Sequence, residues 1–157
     1  MKKTAAKHLA NKLFLAVQYA TDSLDDLPSR GQLRRWVKSA LQQDASVTLR
    51  IVDAAEGREL NKNYRGKDYA TNVLTFVYAD AKPPACDIVI CAPVVKKEAA
   101  AQRKVLLAHY AHLTIHAMLH LHGYSHDNDV DAAQMEALET DLMVKLRLAD
   151  PYRTTRH

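Results

Sequence analysis

The sequence predicts an α+β fold: about four strands in a mixed sheet, packed with four to five helices around one buried central helix. Three observations lead there. Short β-branched and aromatic runs alternate with longer stretches of helical periodicity. The stretch from Lys96 to Leu121 is apolar nearly all round, apart from its first two turns and its histidines, which marks a helix at the centre of a fold rather than on its surface. A chain of 157 residues, 48% apolar and 25% charged, suits one domain around one core. That domain is expected to span 1–157, with residues 1–11 and 153–157 loosely ordered.

Leu13 to Tyr19 reads as the first strand. Residues 22–29 hold three Asp, two Ser and a Pro and form a loop. A helix follows from about Gly31 to Gln42, with Leu33, Trp36, Val37, Ala40 and Leu41 on its inner side. In Val47 to Val52, apolar Val47, Leu49 and Ile51 alternate with Thr48 and Arg50, giving a second strand. Ala54 to about Tyr64 is a short helix that ends near Gly66. Asn72 to Tyr78 is a β-branched and aromatic strand. Pro83 and Pro84 turn the chain, and Ile88 to Cys91 is the returning strand. The central helix then runs from about Lys96 to Leu121. The last helix spans Asp129 to Leu146, with acids in its first turn, Lys145 near its end, and Met135, Leu138, Leu142 and Leu146 as its inner stripe.

Composition removes several classes. No apolar run is long enough for a transmembrane helix, so no membrane partner is expected. The apolar stretch LFLAV near the start is too short for a secretory core, and Gln18 and Tyr19 follow it in place of a small-residue cleavage site. A cytoplasmic protein is expected. Cys86 and Cys91 lie at odd spacing on one strand. They therefore face opposite sides and read as reduced core thiols rather than a disulfide or a shared metal site. The net charge of +4 fits a nucleic-acid partner. Basic residues gather at Arg30, Arg34, Arg35 and Lys38 and in the tail Arg153 to His157.

Six of the eight histidines fall between positions 109 and 126. Within HAMLHLHGYSH, His116 and His120 are spaced i, i+4, which puts both imidazoles on one helix face, one turn apart. Gly123 can take the left-handed conformation that ends a helix and lets the chain bring His126 back toward them. Three neutral nitrogen donors with one position left open are the ligand set of a catalytic zinc; a structural zinc takes four protein ligands. The spacing H-x3-H-x2-G-x2-H equals that of metzincin peptidases, but those carry Glu directly after the first His as general base. Here that residue is Ala117, which argues against peptide cleavage. His109 and His112 continue the same stripe. His112 is expected beside the ligands, and His122 points away from them. A second stretch, LNKNYRGKDYATNVLTF, gathers Lys62, Arg65 and Lys67 ahead of a strand. The planar fork of an arginine suits a phosphate, and phosphodiester hydrolysis needs such a cation near its transition state.

Taken together, the two stretches resemble the YbeY endoribonuclease family. Its metal pattern, H-G-x-L-H-L-x-G-Y-D-H, is met by His116, Leu119, His120, Leu121, Gly123, Tyr124 and His126. Its loop-and-strand pattern is met by Asn61, Tyr64, Arg65, Lys67, Asp68, Thr71, Val73, Leu74 and Phe76. The strand from Asp87 to Cys91 followed by Ala92-Pro93 also fits, and the resemblance covers roughly residues 45 to 152. Departures are Ala117 for Gly, Ser125 for Asp, Asn72 for Asp, Ala70 for Pro and Cys86 for Gly. Ala117 adds a methyl beside a metal ligand. Ser125 removes a carboxylate beside the third ligand, leaving Asp127 and Asp129 as candidates to orient it.

The resemblance implies a single-strand-preferring, zinc-dependent endoribonuclease. It implies action in ribosomal RNA processing, especially 3′-end maturation of small-subunit (16S) rRNA, and in ribosome quality control. Ribosomal RNA and the small ribosomal subunit would be its partners. On this reading one Zn2+ per chain sits on His116, His120 and His126, and Arg65 is catalytic. Lys62 and Lys67 would hold RNA, with Ser125 and His112 supporting the ligands. The alternatives are a non-catalytic, zinc-containing ribosome assembly factor and a zinc peptidase.

Overall fold

The computed structural model describes residues 10–152. The expectation of loose ends at 1–11 and 153–157 therefore lies almost wholly outside the described residues. The elements follow in the order β1 (Leu13–Ala20), α1 (Arg30–Ser39), β2 (Ala45–Val52), α2 (Ala54–Arg65), β3 (Val73–Tyr78), β4 (Ala85–Cys91), α3 (Ala92–Ala101), α4 (Leu106–Leu121) and α5 (Asp129–Lys145). The expected α+β class and mixed four-stranded sheet are present.

The sheet runs β1-β2-β4-β3. The first three strands are parallel, joined by helical crossovers as parallel pairing requires. β3 is the antiparallel edge, returned by the turn at Pro83 and Pro84. The alternation in β2 sends Val47, Leu49 and Ile51 to one face, where Cys86, Ile88 and Ile90 of β4 join them. Leu33, Trp36 and Val37 of α1 and most of α4 cover this face. The opposite face carries a smaller cluster of Val52, Leu74, Val89 and Cys91 under Leu60 of α2. The two cysteines thus lie on opposite faces, as their spacing requires, and both are buried and free. Burial pushes the Cys86 thiol up to about 12 and raises Cys91 as well.

The long central helix is two helices. Its start moves back to Ala92, with Pro93 in the first turn, where a missing N–H costs nothing. The chain then bends at 102–105, where Arg103 takes a left-handed φ of 55°. The Gln102 N–H bonds Glu98 O at 2.9 Å and the Lys104 N–H bonds Ala99 O at 2.8 Å, closing α3. The reason is length. A straight helix from Lys96 to Leu121 would run about 39 Å at 1.5 Å per residue. The strands it packs on, six-residue β3 and seven-residue β4, run only about 20–23 Å. The bend keeps α4 over the sheet, packed against α1, α3, α5, β3 and β4. Its core is as apolar as expected, with Tyr110, Ala111, Ile115, Met118 and Leu119 at most 1% exposed.

The inner stripe of α5 also differs. Its fully buried residues are Met135, Glu139 and Met143, spaced i, i+4, i+8. Leu138, Leu142 and Leu146 pack at the margin of the core. The helix is rotated so that a carboxylate faces α4.

Candidate metal centre

His116 and His120 stand in the last two turns of α4, half-buried, and His126 follows in the loop beyond, exposed. The helix closes at His122. Gly123 takes φ 94°, a conformation an L side chain would strain, and redirects the chain so that Tyr124 N bonds back to Leu119 O at 3.0 Å. Ring centroids are 4.8 Å apart for His116 and His120, 5.3 Å for His116 and His126, and 5.2 Å for His120 and His126. One ring nitrogen from each lies within 4.8 Å of the others, a cluster that can hold a metal ion. Burial, with its two histidine neighbours, holds the His120 imidazole below its ordinary range. A neutral ring is the form that ligates.

Sequence reasoning missed the carboxylate that orients this cluster. Glu139 of α5 has a side chain with no exposed surface, and its Oε2 accepts from His116 Nδ1 at 2.5 Å. Its Oε1 accepts from His112 Nε2 at 2.8 Å and from the Tyr152 hydroxyl. Burial alone would raise this carboxyl, but the three hydrogen bonds outweigh it and bring it down to about 2. Burial and the Glu139 carboxylate push the Tyr152 hydroxyl up, so it stays protonated and donates. An ionised carboxylate only accepts, so His116 carries its proton on Nδ1 and leaves Nε2 for a ligand. This is the carboxylate–histidine pairing that fixes tautomer and orientation at metal sites, and the donor set fits a metal. The available signal was a Glu at the i+4 step of a methionine stripe.

His112 reaches the cluster through the shared Glu139 carboxylate. Ser125 lines a shallow depression with His122, Gly123, Tyr124, Asp131 and Gln134. Among the described residues no hydrogen bond joins Ser125, Asp127 or Asp129 to the three histidines. His122 points elsewhere, and its Nε2 accepts from Gln42 N at 3.1 Å. The Ala117 methyl is buried in the main core beneath the helix, so it does not crowd the cluster.

Lys62, Arg65 and Lys67 are exposed at the end of α2 and in the loop beyond Gly66. That loop is held by the Arg58–Asp68 ion pair at 2.7 Å and by Asn61 Nδ2 donating to Tyr69 O at 2.7 Å. No hydrogen bond or ion pair among the described residues joins these three cations to the histidines, and α2 packs on the other face of the sheet. Asn72 Nδ2 donates to Glu98 Oε1 at 3.0 Å.

A profile of the YbeY family, described as Endoribonuclease YbeY, matches residues 17–147. The chain belongs to the YbeY family. An Endoribonuclease YbeY of Nitrosospira multiformis is 54% identical over 155 residues, covering 90% of this chain and 82% of the relative. One of Nitrosomonas europaea is 55% identical over 141 residues, covering 90% and 85%. The solution structure of a Thermotoga maritima protein matches 87% of this chain and 99% of its own, with a TM-score of 0.52 at 23% identity, a likeness of fold alone. Among the described residues no helix is long and apolar enough to cross a membrane.

Proposed function

We propose that this YbeY-family chain is a zinc-dependent endoribonuclease. Its substrate on this reading is single-stranded ribosomal RNA, above all the 3′ end of the small-subunit 16S rRNA, with a further role in ribosome quality control. The small ribosomal subunit is then its partner and the cytoplasm its location. The observation that carries the reading is the three-histidine cluster backed by buried Glu139, in a chain whose relatives bear the endoribonuclease name.

Zinc is the ion proposed for His116, His120 and His126, because three imidazoles with an open position are the ligand set of a catalytic zinc. When bound, it supplies a Lewis acid for phosphodiester hydrolysis. The chain's own groups do the rest. Glu139 holds the His116 proton on Nδ1 and keeps the ring turned toward the other two histidines. His112 and Tyr152 hold Glu139 ionised in a site that would otherwise favour its neutral form. Arg65 is assigned the added negative charge of the scissile phosphate, with Lys62 and Lys67 on the flanking backbone.

A peptidase lacks support, since Ala117 occupies the position of the general base and Glu139 is already taken by its three donors. The test compares wild type with His120→Ala on a precursor RNA extending past the small-subunit 3′ end, with metal content measured on both. Cleavage by the wild type, falling about 1,000-fold or more in the variant together with its zinc, is expected. Equal cutting by both would assign the activity to a contaminant. A wild type that holds one zinc and cuts nothing would turn the reading to a ribosome assembly factor.

A further inference from the structure

Two helices flank the histidine end of α4, and they carry opposite charge. α1 holds Arg30, Arg34, Arg35 and Lys38 with no acidic residue. α5 holds Asp129, Asp131, Glu136, Glu139 and Asp141 against Lys145 alone. On α1, Leu33, Trp36 and Val37 bury one side against the core, and Arg34, Arg35 and Lys38 stand exposed on the other. Arg30 is already used: its Nη1 donates to Val17 O at 2.7 Å and its guanidinium lies over the Tyr19 ring at 5.0 Å. Arg34, Arg35 and Lys38 have no ion-pair partner among the described residues.

Three uncompensated cations on one helix face attract a polyanion. The face is tied to the metal centre. α1 packs along α4, and the chain just past α1 clasps the turn between His120 and His126. The Gln42 N–H donates to His122 Nε2 at 3.1 Å, and the Gln42 side-chain Nε2 donates to the Tyr124 hydroxyl at 3.3 Å. On the other flank the exposed acids of α5, with Asp127 ahead of them, repel phosphates.

We infer that the exposed face of α1, formed by Arg34, Arg35 and Lys38, is a backbone-binding track for single-stranded RNA leading to the histidine cluster from the side away from α5. This deepens the nuclease reading and rests on it for the choice of ligand. Arg34 and Lys38 are one helical turn apart, so a strand can meet both in succession. The contacts are to phosphates, so they set where the strand lies and not which bases it carries.

The test measures fluorescence anisotropy of a labelled twelve-nucleotide single-stranded RNA with the full chain, in a His120→Ala background so that the RNA stays intact. Three proteins are compared: the parent, Arg34→Ala/Arg35→Ala/Lys38→Ala, and Lys97→Ala/Lys104→Ala/Lys145→Ala. The last loses the same charge away from α1. Circular dichroism checks that each is folded; all the α1 positions are exposed. The α1 triple is expected to bind about 10-fold more weakly or worse, with a log–log salt slope shallower by about 2, the share of three phosphate contacts on a single strand. The control triple is expected to stay within about 3-fold of the parent, as loss of distant charge alone would give. Unchanged binding by the α1 triple, equal weakening of both triples, or a parent that binds no RNA would each overturn the proposal. If RNA binding follows α1 while the wild-type protein cuts nothing, the track stands and the nuclease reading falls.

Discussion

Helix α4 carries a histidine–glutamate pair near each end, and the two pairs differ in what surrounds them. In the first turn, His109 is 4% exposed and its Nε2 donates to Glu98 Oε1 at 2.9 Å. Its Nδ1 is buried with no partner among the described residues, and Asn72 shares the same carboxylate. Two turns on, His116 meets Glu139 through Nδ1, leaving Nε2 on the side of His120 and His126. Both pairs join an imidazole to a carboxylate. Only the second leaves a ring nitrogen among other donors. The first joins α3, α4 and the start of β3 as a strut, whereas the second orients a ligand.

The strongest way to break this contrast is to remove each carboxylate. Glu139→Ala leaves His112, His116 and Tyr152 without their buried acceptor and is expected to cost about 3–5 kcal/mol in urea unfolding. Metal affinity should fall about 10- to 100-fold in whatever fraction folds. Glu98→Ala should cost only about 1–3 kcal/mol, because Glu98 is 32% exposed and water replaces part of its role. Metal affinity should be unchanged. Equal losses at the two ends would mean that both pairs are struts.

A smaller effect is expected from pH. Burial holds His109 below its ordinary 6.5 despite the Glu98 hydrogen bond. Above 6.5 both folded and unfolded chains carry it neutral, and it adds no pH dependence. Below 6.5 the unfolded chain takes up the proton first, so stability falls with pH until the folded pKa is reached. The urea midpoint should drop between pH 7.5 and pH 5.5, and His109→Gln should flatten that drop. A drop that steepens in His109→Gln would show that Glu98 holds the ring charged instead.

The smallest effect is expected just past the second pair, at Ala117. Its methyl is buried in the core, so Ala117→Gly should cost about 1 kcal/mol by helix propensity. Metal affinity should not move, because the methyl faces away from the histidines' partners. A tighter metal in the glycine variant would mean that the methyl crowds the site after all.

Much of the site was legible because its geometry is local. The i, i+4 spacing of His116 and His120 fixes a shared helix face, and Gly123 fixes the reversal toward His126; both follow from backbone dihedrals within a dozen residues. The strands were legible from alternation, and their register placed Cys86 and Cys91 on opposite faces as parity demands. The carboxylate that orients a ligand stands on α5, at Glu139 against His116, and not beside Ser125 at Asp127 or Asp129.

By itself, then, the sequence determined the class of fold, the sheet's strands and the three histidines, because periodicity and spacing act over one or two turns. Only the tertiary structure decided where α3 ends and α4 begins, since the limit is the length of the strands beneath them. It alone put Asn72 on Glu98 and the loop of Arg65 across the sheet from the histidines. It alone turned Glu139 inward, because which side of α5 is buried depends on how that helix rolls against α4. A carboxylate among apolar neighbours is stable there only when three donors from α4 and the C-terminal turn arrive together.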